Sequence, residues 1–292
     1  KISILLPYKE NFSTEYAGAV SLQLKDTINL SKFKKNIKIF GSTTFKQNIL
    51  KKNYVNLSSK KFFFQSTSNV YIRNFLDHEN KESSNLIEIH NRPNYVKNIF
   101  KINKNLVLYF HNNPLEIKGS KTIGERYDLI KKVKKIIFIS NWTKNKFLKG
   151  IDKSFIKNKQ LEVISHSTNK KSISFKNKKK IILFVGRLNK SKGYDIFGNS
   201  ITNLLNKFPN WISIVIGDEP RENHIFKHKN LKILGFQKHN IVSKYFKVSD
   251  ISVVCSRWNE PFGRTALEAS SCGCAVKRTN RGGLPEASPY AI

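Results

Sequence analysis

Methionine is absent from this 292-residue chain, acidic residues are few, cysteine occurs three times, and arginine is scarce among the bases. Each shortage excludes something. Three Cys is an odd count without a disulfide pattern, which excludes a stapled secreted scaffold and predicts a reducing compartment. Cys272-Gly273-Cys274 lacks the two-residue spacing of a zinc knuckle and has no His beside it, so it reads as core filler, and no metal is expected. No apolar run reaches the roughly 18 residues that span a bilayer, and no signal peptide precedes the first apolar run. The expectation is a cytoplasmic protein, soluble or peripheral at the inner face of the membrane. Lys1 opens directly on Ile2–Leu6 without an initiator Met, and Ile292 follows a loop with no closing helix, so a fragment is expected.

The shortage of acid leaves 20 carboxylates against 53 bases, a formal net charge of +33. Such a charge attracts polyanions in general, nucleic acid and anionic lipid alike. Its chemistry narrows the choice. Nine of the bases are Arg, leaving 44 Lys, scattered among Asn, Ile and Phe. Readers of bases and phosphates lean on the planar Arg fork, whereas a Lys, Asn and Ile excess matches codon bias in an AT-rich genome. No nucleic-acid module is present, so nucleic acid is disfavoured as a partner. The runs Lys131–Lys135 and Lys176–Lys180 keep an anionic membrane surface as a candidate partner, against the plainer reading of a solvated charge run.

Short apolar runs alternate with polar segments of helical period, the pattern of strand, helix and parallel sheet. Strands are predicted near Ile2–Leu6, Ile37–Phe40, Asn85–Ile89, Leu106–Phe110, Ile136–Ile139 and Glu162–Ile164. Ser165–Lys180 is polar and rich in Lys and Ser, so it reads as a hinge. A second series follows at Ile181–Val185, Ile212–Ile216, Leu231–Leu234, Ile251–Cys255 and Ala275–Arg278. The prediction is α/β, two Rossmann-like doubly wound domains at 1–168 and 169–292, with ligands at the carboxyl ends of the strands.

Within the second series, Glu260-Pro261-Phe262-Gly263-Arg264-Thr265-Ala266-Leu267-Glu268 holds two carboxylates eight positions apart. On one continuous helix they would stand roughly 12 Å apart, too far to share a small group. Pro261 and Gly263 place the helix start between them, with Glu260 in the loop and Glu268 inside the helix. Backbone N–H groups at such a start favour phosphate. Upstream, the strand Ile181–Val185 runs into Gly186-Arg187-Leu188 and then Lys192-Gly193, which puts two cations at a strand's carboxyl end. There Arg187 and Lys192 can clamp a diphosphate and neutralise charge on a departing group.

Together Val185-Gly186-Arg187-Leu188, Lys192-Gly193, Ile216-Gly217-Asp218-Glu219-Pro220, Leu234-Gly235-Phe236, the Glu260 to Glu268 stretch and Gly282-Gly283-Leu284-Pro285-Glu286 resemble, in order and spacing, the family 4 retaining glycosyltransferases. The resemblance is strong in the second half and looser in the first. It implies the GT-B architecture, two Rossmann-like domains facing across a cleft, with a C-terminal crossover helix that this sequence lacks. It implies retaining hexosyl transfer from a nucleoside diphosphate sugar to a hydroxyl on a glycan or lipid-linked acceptor, in lipopolysaccharide or other surface glycan synthesis, without a cofactor or metal. Carried onto this sequence, Arg187 and Lys192 bind the diphosphate, Glu268 the ribose hydroxyls and Glu260 the sugar. Phe262 and Gly263 offer backbone amides.

Two histidines stand at neighbouring strand ends in the first half, His90 in Ile89-His90-Asn91-Arg92-Pro93 and His111 in Phe110-His111-Asn112-Asn113-Pro114. The resemblance implies that His111 meets the donor sugar. His90 and Arg92 are then acceptor-side candidates, and His166 is structural. The family's pair of glycines after the first strand is reduced here to Gly18, in Tyr16-Ala17-Gly18, which is carried over as a donor-phosphate contact. Ser140-Asn141-Trp142-Thr143 reads as a helix cap. Rival readings are a sugar-nucleotide epimerase or phosphorylase of the same architecture, and a non-catalytic basic protein that binds nucleic acid or membrane.

Overall fold

The computed structural model describes residues 1–15, 17–45, 49–58, 66–169, 172–222 and 224–292. Tyr16, of the first loop, and Lys170 and Lys171, of the expected hinge, lie outside the described residues. The chain forms two compact units divided between Ser165 and His166, ahead of the expected boundary after residue 168. The reason is local: the His166 ring packs on Phe262 at 5.4 Å, so the loop that leaves the first sheet already belongs to the second unit.

The first unit carries β1 (Ile2–Leu5), β2 (Ile37–Gly41), β3 (Tyr54–Asn56), β4 (Leu86–His90), β5 (Leu106–Phe110), β6 (Lys135–Phe138) and β7 (Leu161–Val163). They form one sheet in the order β3-β2-β1-β4-β5-β6-β7, every pair parallel. Its helices are α1 (Ala19–Leu30), α2 (Thr67–Lys81), α3 (Val96–Ile99), α4 (Ile123–Lys132) and α5 (Asn141–Leu148). The second unit has β8 (Lys179–Val185), β9 (Ile212–Ile216), β10 (Leu231–Ile233), β11 (Ser249–Val254) and β12 (Ala275–Arg278), in the order β10-β9-β8-β11-β12, again all parallel. Around it lie α6 (Tyr194–Lys207), α7 (His239–Val248), α8 (Arg264–Ser271) and α9 (Leu284–Ala287).

Alternating side chains explain why these sheets need cover on both faces. In β1, Leu5 enters one core with Ile87, Ile89 and Phe110, while Ile4 and Leu6 enter another with Val20, Leu24 and Ile28 of α1. In β8, Ile181 and Leu183 face Phe246 and Ala266, and Ile182 and Phe184 face Tyr194 and Phe197. Each such buried side chain contributes about 1.5–3 kcal/mol. Caps set the helix starts. Ser140 Oγ accepts from the Thr143 N–H at 3.1 Å while Thr143 Oγ1 accepts from the Ser140 N–H at 3.2 Å, the cap expected before α5.

Two features differ from expectation. Strand β3 was not foreseen, because three half-exposed or exposed residues behind Lys51 and Lys52 are too few to show alternation. Lys178, within the expected hinge, is tied down: its Nζ donates to the carbonyls of Phe246 at 3.1 Å and Ser249 at 2.7 Å. No helix among the described residues is long and apolar enough to cross a membrane.

Candidate functional site

In the second unit the central strand β8 has β11 as a neighbour, although α6, β9, β10 and α7 separate the two in sequence. That pairing brings the loop after β8 against the loop after β11. The carbonyl of Ser191 accepts from the Arg257 N–H at 2.9 Å and the Trp258 N–H at 3.0 Å. Asn189 shapes the first loop from inside, its Oδ1 accepting from the Lys192 N–H at 3.0 Å and its Nδ2 donating to Glu219 at 3.1 Å.

The join sets Lys192 against Glu260. Lys192 Nζ is bonded to Glu260 Oε1 and lies 5.2 Å from the centre of the Trp258 ring, while the Ser256 hydroxyl donates to the same carboxylate oxygen at 2.9 Å. Glu260 is buried, so this ion pair is sheltered from water and its hydrogen bonds are charge-assisted. The cation and the carboxylate, expected to face different parts of a ligand, therefore face each other. Sequence reasoning found both but missed Ser256, Trp258 and Asn189. Ser256 and Trp258 follow the carboxyl end of β11, a position that could have flagged them.

Glu260 stands before α8 and Glu268 is the fifth residue within it, as the Pro-Phe-Gly break predicts. Glu268 Oε1 accepts from Arg264 Nε at 2.7 Å, and His239 at the start of α7 lies 3.9 Å from its other oxygen. Arg264 and His239 are further residues that sequence reasoning did not assign. Gly263 caps α8 at φ 109°, and a Cβ there would come within 2.2 Å of Leu284 Cδ1. Phe262 is buried against His166. Among the described residues, the backbone N–H groups of Phe262 and Gly263 have no hydrogen-bond acceptor. Arg187, just past β8, is exposed and makes no side-chain hydrogen bond or ion pair among the described residues.

Glu219, in the loop after β9, is structural. Arg221 donates to it at 2.6 and 2.9 Å and, with Asn189, holds its carboxyl down to about 2. A separate depression of about 460 Å³ is lined by apolar residues including Phe197, Ile201, Val253 and Val276. It contains none of the candidate residues.

In the first unit, His90 and His111 come together, as neighbouring strand ends predict. His90 Nδ1 lies 2.7 Å from His111 Nε2, and His90 Nε2 lies 2.5 Å from Glu88 Oε1. His90 is thus buried, with both ring nitrogens engaged within the first unit. Arg92 donates to the Asn91 carbonyl at 2.8 Å and lies over the Tyr8 ring. Gly18 packs against Glu10 of the same unit. A Cβ at Gly18 would come within 2.4 Å of Glu10 Oε1, and that oxygen accepts from the Ser21 N–H at 3.1 Å and hydroxyl at 2.7 Å. The small residue makes room for a carboxylate of the chain itself, so the start of α1 already holds an anion.

Two parallel, doubly wound sheets with cations and paired carboxylates at the strand ends define the class: the fold is that of the GT-B glycosyltransferases. Residues 165–288, nearly the whole second unit, match the family model of the glycosyl transferases group 1. The chain is 26% identical over 241 residues to the putative glycosyltransferase YtcC of Bacillus subtilis, covering 72% of this chain and 59% of YtcC. It is 33% identical over 124 residues to spore coat protein SA of the same organism, covering 37% of this chain and 32% of that protein. The chain thus spans about one third to three fifths of the length of these relatives. Among solved structures, Anabaena HepE in complex with UDP and glucose superposes with a TM-score of 0.67 at 18% identity, covering 98% of this chain and 82% of HepE. WaaG, a glycosyltransferase involved in lipopolysaccharide biosynthesis, does so with a TM-score of 0.64 at 14% identity, covering 98% and 83%.

Proposed function

We propose that the chain belongs to a retaining glycosyltransferase of family 4 that moves a hexosyl group from a nucleoside diphosphate sugar to a hydroxyl of a glycan or lipid-linked acceptor, in the synthesis of lipopolysaccharide or another surface glycan. The observation that carries this reading is the Lys192–Glu260 pair, held by two joined loops at the carboxyl ends of β8 and β11, with Glu268 one turn further on in α8. A dianionic diphosphate draws Lys192 away from Glu260 and also engages Arg187. Glu260 is then released for sugar hydroxyls, and Glu268 for those of the ribose. The N–H groups of Phe262 and Gly263 stand ready for the distal phosphate or the sugar. The HepE complexes with UDP and glucose lend support to a uridine nucleotide donor.

In the reaction the bond from the sugar's anomeric carbon to the diphosphate oxygen breaks and one to the acceptor oxygen forms on the same face. The acceptor's proton passes to the departing phosphate, whose charge Lys192 and Arg187 neutralise, so no metal is needed. His111 is the first unit's proposed contribution, at the sugar. The protein works in the cytoplasm, with its lysines at the anionic inner face of the membrane. The test uses UDP-glucose as donor probe: calorimetric binding and donor hydrolysis for the wild type, Lys192→Ala and Glu268→Ala. Loss of one buried charged contact costs about 2–3 kcal/mol, or 30- to 150-fold in affinity. Undiminished binding and turnover in both variants would overturn the assignment.

A further inference from the structure

In the first sheet the chain winds one way from β1 through β2 to β3 and the other way from β4 to β7, so the direction reverses between the neighbours β1 and β4. The loops leaving two such strands part at their carboxyl ends, and the crevice between them is where an open parallel sheet takes a ligand. Tyr8 and Lys9 follow β1, and Arg92 follows β4. The Arg92 guanidinium carbon lies 5.6 Å from the centre of the Tyr8 ring, and Lys9 Nζ lies 5.7 Å from the same centre. Behind Tyr8 stands Tyr71, and behind that Tyr95, with ring centres 6.4 and 6.3 Å apart in turn. Burial above all raises the phenols of Tyr71 and Tyr95, so neither supplies a negative charge at neutral pH.

Arg92 has no acid to balance it. Its Nη1 donates to the Asn91 carbonyl at 2.8 Å, and its side chain makes no ion pair among the described residues. A guanidinium carries five N–H donors and is charged at every physiological pH. The acids nearest in sequence are engaged elsewhere. Glu10 accepts from the Ser21 N–H and hydroxyl, and Glu88 is held by His90. The carbonyl that holds Arg92 is itself fixed: Asn91 is left-handed at φ 53°, and its Oδ1 accepts from the His111 N–H at 2.8 Å and the Asn112 N–H at 3.2 Å. Such a backbone persists in a residue other than glycine only where its surroundings impose it. Two cations without an acid match the charge of a phosphate monoester, and the guanidinium fork fits two of its oxygens. We infer that the crevice between β1 and β4 binds a phosphate group through Arg92, with Lys9 as the second cation. On the proposed function, on which this one step rests, the phosphate is carried by the acceptor, which is then a phosphorylated sugar.

The test is a ³¹P NMR titration of the full chain with inorganic phosphate and with glucose 6-phosphate, in saturating UDP so that Arg187 and Lys192 are occupied. The wild type should bind at one further site. Arg92→Gln should weaken that binding at least about tenfold, the worth of a charged hydrogen-bonded contact, and Arg92→Lys, which keeps the charge and loses the fork, by less. Lys153→Gln removes the same charge at an exposed position elsewhere in the unit and should leave binding unchanged. Absence of binding to the UDP-loaded wild type overturns the inference, and so does equal weakening in Arg92→Gln and Lys153→Gln, which would reduce the effect to net charge. Should Arg92→Gln fail to fold, Arg92→Lys and Lys9→Gln decide, and undiminished affinity in both overturns it. Tighter binding of glucose 6-phosphate than of inorganic phosphate marks a sugar phosphate as the ligand. Equal affinity keeps the phosphate site and removes its tie to the acceptor. If UDP itself does not bind, the proposed function fails, and the same titration on Lys192→Ala tests the phosphate site separately.

Discussion

Replacing Gly282 by Ala tests how tightly the loop of Glu260 is held. Gly282 has φ 64°, and a Cβ there would lie 2.2 Å from the Glu260 carbonyl oxygen and 2.8 Å from the Asn259 carbonyl carbon and the Glu260 nitrogen. All three are main-chain atoms, so relief requires moving Glu260 itself, whose carbonyl also accepts from the Gly283 N–H at 2.6 Å. The same unit supplies its own control. Gly235 has φ 66°, nearly the same conformation, yet a Cβ there would meet nothing within 4 Å. Both substitutions carry the left-handed penalty of about 1–2 kcal/mol. Gly282→Ala alone adds an overpacking cost of about 1–3 kcal/mol. In a domain of this size each kcal/mol lowers the melting temperature by roughly 3–5 °C, so Gly282→Ala should melt several degrees below Gly235→Ala. UDP binding, measured by calorimetry at a temperature where both are folded, should weaken in Gly282→Ala only. Equal melting temperatures and equal UDP affinities for the two variants would refute the close packing of this loop.

Other expectations concern titrating groups. Glu219, held by Arg221 and Asn189 at about 2 against its ordinary 4.5, contributes stability that is complete above pH 4.5 and fades as pH falls through 2. The melting difference between wild type and Arg221→Ala should therefore be largest near neutrality and shrink steadily on acidification below about pH 4.5. A difference that stays constant from pH 6 to pH 3 would contradict it. Burial pushes the thiols of Cys255 and Cys274 up to about 11, with backbone hydrogen bonds offsetting part of it at Cys255 and Lys178 part of it at Cys274. At pH 8 each should alkylate at least about a hundredfold more slowly than an unfolded thiol, because only the thiolate reacts. All three cysteines should label at once in urea, and fast native labelling of Cys255 would show that its environment is misread.

The sequence makes the two sheets legible because parallel strands, covered on both faces, stand out as continuous apolar runs such as Ile181–Val185. It also marks where Glu260 and Glu268 lie relative to a helix start, since Pro261 and Gly263 punctuate the chain locally. What it leaves out is sheet order. Nothing between residues 186 and 248 states that β11 will lie beside β8, and only that pairing puts Lys192 against Glu260, Ser256 and Trp258. The same limit applies to Glu88. Its two-residue spacing from His90 places both on one face, but His111 arrives only through the pairing of β4 with β5. At Gly18 the limit is different: the room a glycine leaves is visible in the sequence, and the group packed beside it, Glu10, is a matter of loop path.

The carbonyl of Ser191 joins the loops after β8 and β11 through two main-chain amides, those of Arg257 and Trp258. Every amino acid carries such a carbonyl, and every residue but proline carries such an amide. The fastening is therefore written in backbone shape and survives any exchange of side chain at position 191 that leaves the turn intact. Replacing Ser191 would remove its hydroxyl's bond to Asn189 at 2.8 Å and leave the joint between the loops in place.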